Sequence, residues 1–266
     1  MSLTLPGGPL ARRSSDTVNY RIDGPAHRLY QHAFPRRVRA VLGGRTVLDS
    51  VHGTLLHETG LLPQLYVPRD DVRAEFLTGT DHSTHCPFKG DAAYQSVTVG
   101  DRTAENALWH YPDPLPEAHW LAGLVALYFD RMDAWFDEDE EIHGHLRDPF
   151  HRVDVRPTSR DVRVVADGTE IAATRHAMLL SETGLPNRYY VPLRDVRIEH
   201  FGPSATHTVC PYKGRASYHS LHVGETVLPD TAFWYPEPLQ DAARVGEHLC
   251  FLGDGVETRV DGEVAG

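Results

Sequence analysis

The chain has 266 residues, of which 41% are hydrophobic and 24% charged, values typical of a folded globular protein. Its formal net charge of −11 argues against a nucleic-acid partner, because phosphate neutralisation needs clustered Lys and Arg. No stretch approaches the roughly 18 apolar residues of a membrane span, so we expect no membrane partner either.

Three cysteines without a C-x-x-C pair predict neither a disulfide framework nor a thiolate zinc site, and they favour a reducing compartment. The first residues lack the apolar core of a secretory signal. We therefore expect a cytoplasmic protein with no cofactor and no metal. Residues 1–24 are predicted to be an N-terminal arm, lying against the first domain or disordered.

Short motifs recur along the chain at a constant offset. The sequence E-T-G-L at 58–61 returns at 182–185, and C-P-x-K-G at 86–90 returns at 210–214. A repeat this long predicts two tandem domains rather than a solenoid, whose units run about 20–50 residues. The register reaches back to His27 and His151, which places the domains at 25–148 and 149–266.

Within each repeat the patterns are those of strands. Residues 37–41 alternate in polarity before a Gly43-Gly44 turn, and the second repeat has Asp167-Gly168 at the same place, a strong hairpin signal. Residues 124–136 are also strand-like, and short helices are predicted only near 117–121 and 241–248. The fold class is therefore mainly β, in two tandem compact domains with very little helix.

Four motif blocks occur in the same order in both repeats: E-T-G-L, Y-x-P, C-P-x-K-G-x-A-x-Y and a Trp-rich segment ending Y-P-x-P. In this combination the chain resembles a tandem form of the domain of unknown function numbered 427. The resemblance covers nearly everything from Pro25 onward and implies β-tent-like domains. Many β-tents bind zinc through two C-x-x-C pairs, which are absent here. The family has also been labelled a nucleotidyltransferase, but the Gly-Ser turn and Asp-x-Asp pair of such enzymes are absent too.

Glu58 and Glu182 end apolar strand segments just before Thr-Gly. A carboxyl group in that position can have a raised pKa and act as a general acid or base. Alternatively, the carboxylate accepts backbone N–H bonds in the turn. Lys89 and Lys213 are the expected cationic partners, either in a structural salt bridge or in binding an anionic group of a ligand.

Cys86 and Cys210 stand three residues before these lysines. A nearby ammonium group lowers a thiol pKa and favours the nucleophilic thiolate. The alternative is a small buried side chain, since free cysteine is often buried. The glutamates and cysteines are thus the catalytic candidates.

Aromatic residues also recur, and a set of them would form an apolar pocket with few oriented polar groups. The ligand-binding candidates of this type are Tyr66, Tyr190, Tyr94, Tyr218, Trp109, Tyr111, Trp234 and Tyr235. The alternative for each tyrosine is a core position with a hydrogen-bonded hydroxyl. Most of the 17 histidines are not shared between the repeats, which favours surface positions over a metal site in one repeat.

These residues lead to a functional hypothesis: an enzyme that uses a Glu/Lys/Tyr/Cys pocket in each repeat for acid–base chemistry on a small organic metabolite. One form of the hypothesis has an anionic metabolite as the substrate. The alternative is a non-catalytic module that binds a ligand or peptide. A third hypothesis places function between the repeats, which would then pack as a pseudo-dimer.

Overall fold

The computed structural model describes residues 23–265, together with Leu3, Thr4, Gly8, Ala11 and Asn19. The chain forms two compact units, Met1–Asp148 and Pro149–Gly266. Most of the predicted arm, residues 1–24, lies outside the described residues. Among the residues described, no helix has both the length and the apolar character needed to cross a membrane.

The first unit consists of eleven strands connected by turns and short 3-10 helices. The strands are β1 (Leu29–Ala33), β2 (Val38–Leu42), β3 (Arg45–Ser50), β4 (Thr54–Glu58), β5 (Gln64–Pro68), β6 (Leu77–Cys86), β7 (Gly90–Val99), β8 (Arg102–His110), β9 (Leu124–Leu127), β10 (Ala134–Asp137) and β11 (Glu140–Ile142). The 3-10 helices are Arg69–Asp71, Ala74–Phe76, Pro116–Leu121 and Phe129–Arg131.

The second unit repeats this order. Its strands are β12 (Val153–Pro157), β13 (Val162–Ala166), β14 (Thr169–Thr174), β15 (Met178–Glu182), β16 (Arg188–Pro192), β17 (Phe201–Cys210), β18 (Gly214–Val223), β19 (Thr226–Trp234), β20 (His248–Phe251), β21 (Val256–Val260) and β22 (Glu263–Val264). The 3-10 helices are Leu193–Asp195, Ile198–His200 and Gln240–Val245.

Each unit contains a seven-stranded and a four-stranded antiparallel sheet. The large sheet of the first unit has the order β1-β4-β5-β9-β8-β7-β6, and that of the second has the equivalent order β12-β15-β16-β20-β19-β18-β17. The small sheets are β11-β10-β2-β3 and β14-β13-β21-β22. The prediction of a mainly β chain in two similar domains is confirmed.

The hairpin signals read from the sequence are also confirmed. Gly43 and Gly44 have φ angles of 56° and 70°, and Asp167 and Gly168 have 44° and 76°, the left-handed backbone that a tight two-residue turn requires. The strand-like segment 124–136 contains two strands, β9 and the start of β10, which belong to different sheets. The chain leaves the large sheet after β9, turns through a 3-10 helix and joins the small sheet as β10.

Side chains of the large sheet alternate between two buried clusters. In the first unit, Leu55, Leu65 and Leu108 pack in the core shared with the small sheet. Their neighbours Leu56, Tyr66 and Trp109 pack in a second cluster on the opposite side, together with residues of the 3-10 helix Pro116–Leu121. Because successive strand residues point to opposite faces, the sheet is buried on both. We call the second side the aromatic face; in the second unit it carries Leu180, Tyr190, Tyr218, Phe233 and Tyr235.

Candidate functional site

The position of Glu58 is set by the pairing of β1 with β4, in which Leu29 lies opposite Glu58. The next residue, Thr59, fixes this edge: its hydroxyl accepts a hydrogen bond from the backbone N–H of Arg28 at 3.0 Å. Its own N–H donates to the Arg28 carbonyl at 3.1 Å. The E-T-G motif therefore holds the chain before β1 beside the glutamate.

The second unit reproduces this edge. Val153 lies opposite Glu182, and the hydroxyl of Thr183 accepts a hydrogen bond from the N–H of Arg152 at 2.9 Å. A threonine at this position thus performs the same task in both repeats, which explains why it survives in both copies of the motif.

A histidine approaches each glutamate from this edge. The Nε2 atom of His27 lies 3.3 Å from Oε2 of Glu58, and Nε2 of His151 lies 3.0 Å from Oε1 of Glu182. An ionised carboxylate only accepts, so the histidine nitrogen is the donor. Each ring also contacts the aromatic residue before the lysine: His27 stacks on Phe88 at a centroid distance of 3.9 Å, and His151 lies 4.1 Å from Tyr212 in a tilted arrangement. Sequence reasoning matched these histidines but gave them no role; their recurrence was the available signal.

The lysines come from the tight turn between the two longest strands. The N–H of Lys89 donates to the carbonyl of Cys86, and Lys213 does the same to Cys210. The residue after the lysine has to be a glycine. Gly214 has a φ of +105°, and a Cβ there would lie 3.0 Å from the carbonyl oxygen of Glu237. The turn aims the ammonium group inward instead of into solvent.

Lys89 forms a salt bridge with Glu58, and Lys213 forms one with Glu182. The side chains of the first pair are each only 8% exposed. The carboxylates are thus bound by side chains, which matches the salt-bridge alternative for the two lysines. The turn is closed by the backbone of Glu58, whose carbonyl accepts from Leu61.

The electrostatics of Glu182 differ from the sequence-based expectation of a raised pKa. Burial alone would raise the pKa of this carboxyl, but hydrogen bonds from His151 and Lys213 outweigh burial and lower it to about 2. Glu182 is therefore ionised at neutral pH, and its charge is compensated by two neighbours. We call each Glu, Lys and His set the ionic triad.

In the second unit Glu182 and Lys213 of the triad border a cavity of about 280 Å³ on the aromatic face. Five of the sequence-predicted residues line it together: Glu182, Lys213, Tyr190, Tyr218 and Tyr235. The hydroxyl of Tyr218 lies 3.0 Å from that of Thr208, so its position is fixed by a hydrogen bond. The structure thus brings most of the predicted second-repeat site to one cavity wall.

Two predicted residues are not on that wall. Trp234 packs against the core on the other side of the sheet, and its neighbour Phe233 lines the cavity instead. The reason is the alternation along β19, which puts residues 233 and 235 on one face and 234 on the other. Cys210 is half-buried and packs on the aromatic cluster, but it does not line the cavity.

In the first unit the predicted aromatics also share one face. Tyr66, Tyr94, Trp109 and Tyr111 belong to a single buried cluster, on which Cys86 packs. The indole N–H of Trp109 donates to the Tyr66 hydroxyl at 3.3 Å, and Lys89 lies 5.8 Å from the ring of Tyr111. Burial raises the pKa of Tyr66 and Tyr111 well above the usual value, so both hydroxyls remain protonated.

Two aromatic side chains of the first unit, Trp109 and Tyr128, are matched by smaller side chains in the second unit. Trp109 and Tyr128 pack with ring centroids 4.5 Å apart, whereas the cavity wall has Phe233 and Leu252 at these positions. Both replacements remove volume, which accounts for space beside the second triad. Among the described residues, no group of three or more His, Cys, Asp or Glu side chains is placed to hold a metal ion.

Comparison with known families supports the repeat structure. A family model described as a domain of unknown function (DUF427) matches residues 31–138 and again residues 154–266. A search of curated proteins found no match. Each matched segment contains the strand that ends at the glutamate, all later strands of the large sheet, and the turn that carries the lysine.

Proposed function

This chain belongs to the DUF427 family in both of its repeats, and from this premise we propose that it binds a small organic molecule in the cavity of the second unit. The observation that carries the proposal is the cavity of about 280 Å³, which is lined by aromatic side chains and by the Glu182–Lys213 ion pair. A concave, mostly apolar surface with a few oriented polar groups is the usual composition of a small-molecule site.

The polar groups of this wall are held in place before any ligand arrives. Lys213 and Glu182 restrain one another, His151 restrains the carboxylate from the other side, and Thr208 restrains Tyr218. Such preorganisation reduces the entropic cost of binding. Lys213 retains N–H groups beyond the one it gives to Glu182, and these can donate to an anionic or carbonyl oxygen of the ligand.

In the second unit, binding is better supported than acid–base catalysis by Glu182. A carboxyl with a pKa of about 2 has no proton to donate at neutral pH and is a weak base. We therefore propose that Glu182 holds Lys213 in position, with Tyr190, Tyr218 and Tyr235 as contact residues. In the first unit we propose that the equivalent contact residues are Lys89, Tyr66, Tyr94, Trp109 and Tyr111. Glu58 holds Lys89 in position there. A catalytic role for Cys86 or Cys210, a cytoplasmic location and a pseudo-dimer of the repeats stay predictions.

The test is a thermal-shift screen of pooled small organic acids, amines and neutral metabolites. A ligand at about 100 times its dissociation constant stabilises the folded state by about 2.7 kcal/mol, which gives a measurable rise in melting temperature. The control variant carries Phe233→Trp and Leu252→Tyr, the side chains of the first repeat, which fill the cavity. We expect compounds that stabilise the native protein and not the filled variant; stabilisation of both alike would contradict the proposal.

A further inference from the structure

The walls of the two equivalent sites differ in charge at two positions only. Arg188 and Asp230 line the cavity of the second unit. At the matching positions the first repeat has the uncharged amides Gln64 and Asn106. The second repeat thus has one cation and one anion on this wall that the first repeat lacks, while the ionic triad and the tyrosines are the same in both.

Arg188 is directed to the cavity by its place in the sheet. It opens β16 two residues before Tyr190 and lies opposite Leu180 of β15, and both of these neighbours line the same cavity. Side chains two apart on a strand share a face. Among the described residues Arg188 forms no salt bridge, so its guanidinium charge is not compensated by a protein carboxylate.

Asp230 reaches the cavity through a local irregularity of β19. Its φ is +55°, and the register of β18 and β19 shifts at this point between His219 and Leu221. By simple alternation residue 230 would face the core with Ala232, whereas the bulge turns it to the cavity side. Asn106 also has a positive φ, of 49°, so this backbone form is common to both repeats and the two positions differ in charge.

The carboxylate of Asp230 is held but not neutralised. The hydroxyl of Ser204 donates a hydrogen bond to Oδ1 of Asp230, and the hydroxyl of Thr206 donates one to Oδ2 at 2.6 Å. These hydroxyls lower the pKa of the carboxyl, so it is ionised at neutral pH. Each oxygen keeps a free lone pair. Asp230 forms no salt bridge with Arg188 or with any other described residue, so the two new charges stand apart on one wall.

We propose that the ligand of the second unit is a zwitterion of the amino-acid type, with its carboxylate on Arg188 and its ammonium group on Asp230. This deepens the proposed function and rests on it. A guanidinium fork matches a carboxylate with two parallel hydrogen bonds. An ammonium group gains a charge-assisted bond to Asp230, and the apolar remainder packs on Tyr190 and Phe233. A ligand with only one charge would leave one cavity charge without a partner.

The experiment titrates the full chain by calorimetry with two matched probe sets: L-phenylalanine, phenethylamine and 3-phenylpropanoate; and L-leucine, isoamylamine and 4-methylpentanoate. The zwitterions should bind roughly 10- to 100-fold more tightly than either singly charged analogue, the value of one charge-assisted hydrogen bond. Arg188→Gln should abolish the preference over the amine, and Asp230→Asn the preference over the carboxylate. Both variants carry the first-repeat residue on the same backbone, so they are expected to fold.

Three outcomes separate this inference from the proposed function. A zwitterion preference that disappears in the double variant Arg188→Gln/Asp230→Asn supports it. Equal binding of zwitterion and analogue, or a preference that survives in the double variant, overturns it while small-molecule binding stands. If no zwitterion binds at concentrations up to about 10 mM, yet other compounds stabilise the protein in the cavity-dependent screen, the inference is likewise overturned. Circular dichroism of each variant verifies that the fold is intact.

Discussion

The Nζ atom of Lys213 donates a hydrogen bond to Oε2 of Glu182, and the two side chains are only 11% and 8% exposed. The equivalent bond from Lys89 to Glu58 occupies the same place in the first unit. A buried ion pair is stable only where further hydrogen bonds satisfy both partners, and His151 supplies one of them here. The triad is therefore a rigid polar feature on an otherwise apolar face.

Removing one partner of this pair should be costly. Lys213→Met leaves the Glu182 charge buried with only His151 beside it, and we expect the second unit to lose about 3–5 kcal/mol of unfolding free energy. The matched control is Arg259→Met, which breaks the half-exposed bridge to Glu257 and should cost less than about 1 kcal/mol. Urea unfolding followed by hydrogen exchange of peptides from residues 149–266 measures both; equal losses would contradict a buried pair.

The second unit should lose stability in acid. The folded-state pKa of Glu182 is lowered from 4.5 to about 2, so its contribution is fully present above pH 4.5 and is lost as the pH falls toward 2. The amount lost is on the order of 3 kcal/mol. Unfolding free energies measured across this range should fall less steeply in Glu182→Gln. An identical pH dependence in the variant would show that this carboxylate does not carry the effect.

The turn that aims Lys213 should tolerate no side chain at its glycine. Gly214→Ala combines a φ of +105° with a Cβ 3.0 Å from a backbone oxygen, and we expect a loss of more than about 2 kcal/mol. Gly224→Ala is the control, because its φ is also positive at +58° but nothing lies within 4 Å of the added Cβ. It should cost about 1 kcal/mol. Similar melting temperatures for the two variants would contradict the close approach.

The three cysteines should react differently with iodoacetamide. Cys250 is 1% exposed, and burial raises the pKa of its thiol to about 12, so it should be labelled only after unfolding. Cys86 and Cys210 are half-buried and should be labelled in the folded protein. Peptide mass spectrometry gives the rate at each position. Labelling of Cys86 or Cys210 faster than a free cysteine would support the nucleophile hypothesis, and rapid labelling of folded Cys250 would contradict the burial.

The sequence was sufficient for the features that local chemistry and duplication determine. Paired glycines or Asp-Gly predicted the hairpins, and the repeated motifs predicted the two domains and five of the twelve residues that line the second cavity. The sequence was insufficient for properties that depend on contacts between residues far apart in the chain. The pKa of Glu182 depends on His151, which is distant in sequence, and the orientation of Trp234 depends on strand register.

A comparison of repeats by identity also selects against residues that have diverged. Arg188 and Asp230 differ from Gln64 and Asn106, so a search for shared residues discards them although they line the cavity. The bulge that turns Asp230 inward has no sequence signature beyond an aspartate, a residue type that tolerates positive φ. Only the three-dimensional arrangement identifies this pair.

Binding in the cavity of the second unit is most directly tested by hydrogen–deuterium exchange with the compound that gives the largest thermal shift. The compound should slow exchange in peptides that contain residues 180–190, 213–218 and 230–235, which carry the cavity wall. The change should be smaller in the equivalent peptides of the first unit, where Trp109 and Tyr128 stand in place of Phe233 and Leu252. Unchanged exchange in all three wall segments, with protection elsewhere in the chain, would contradict the account.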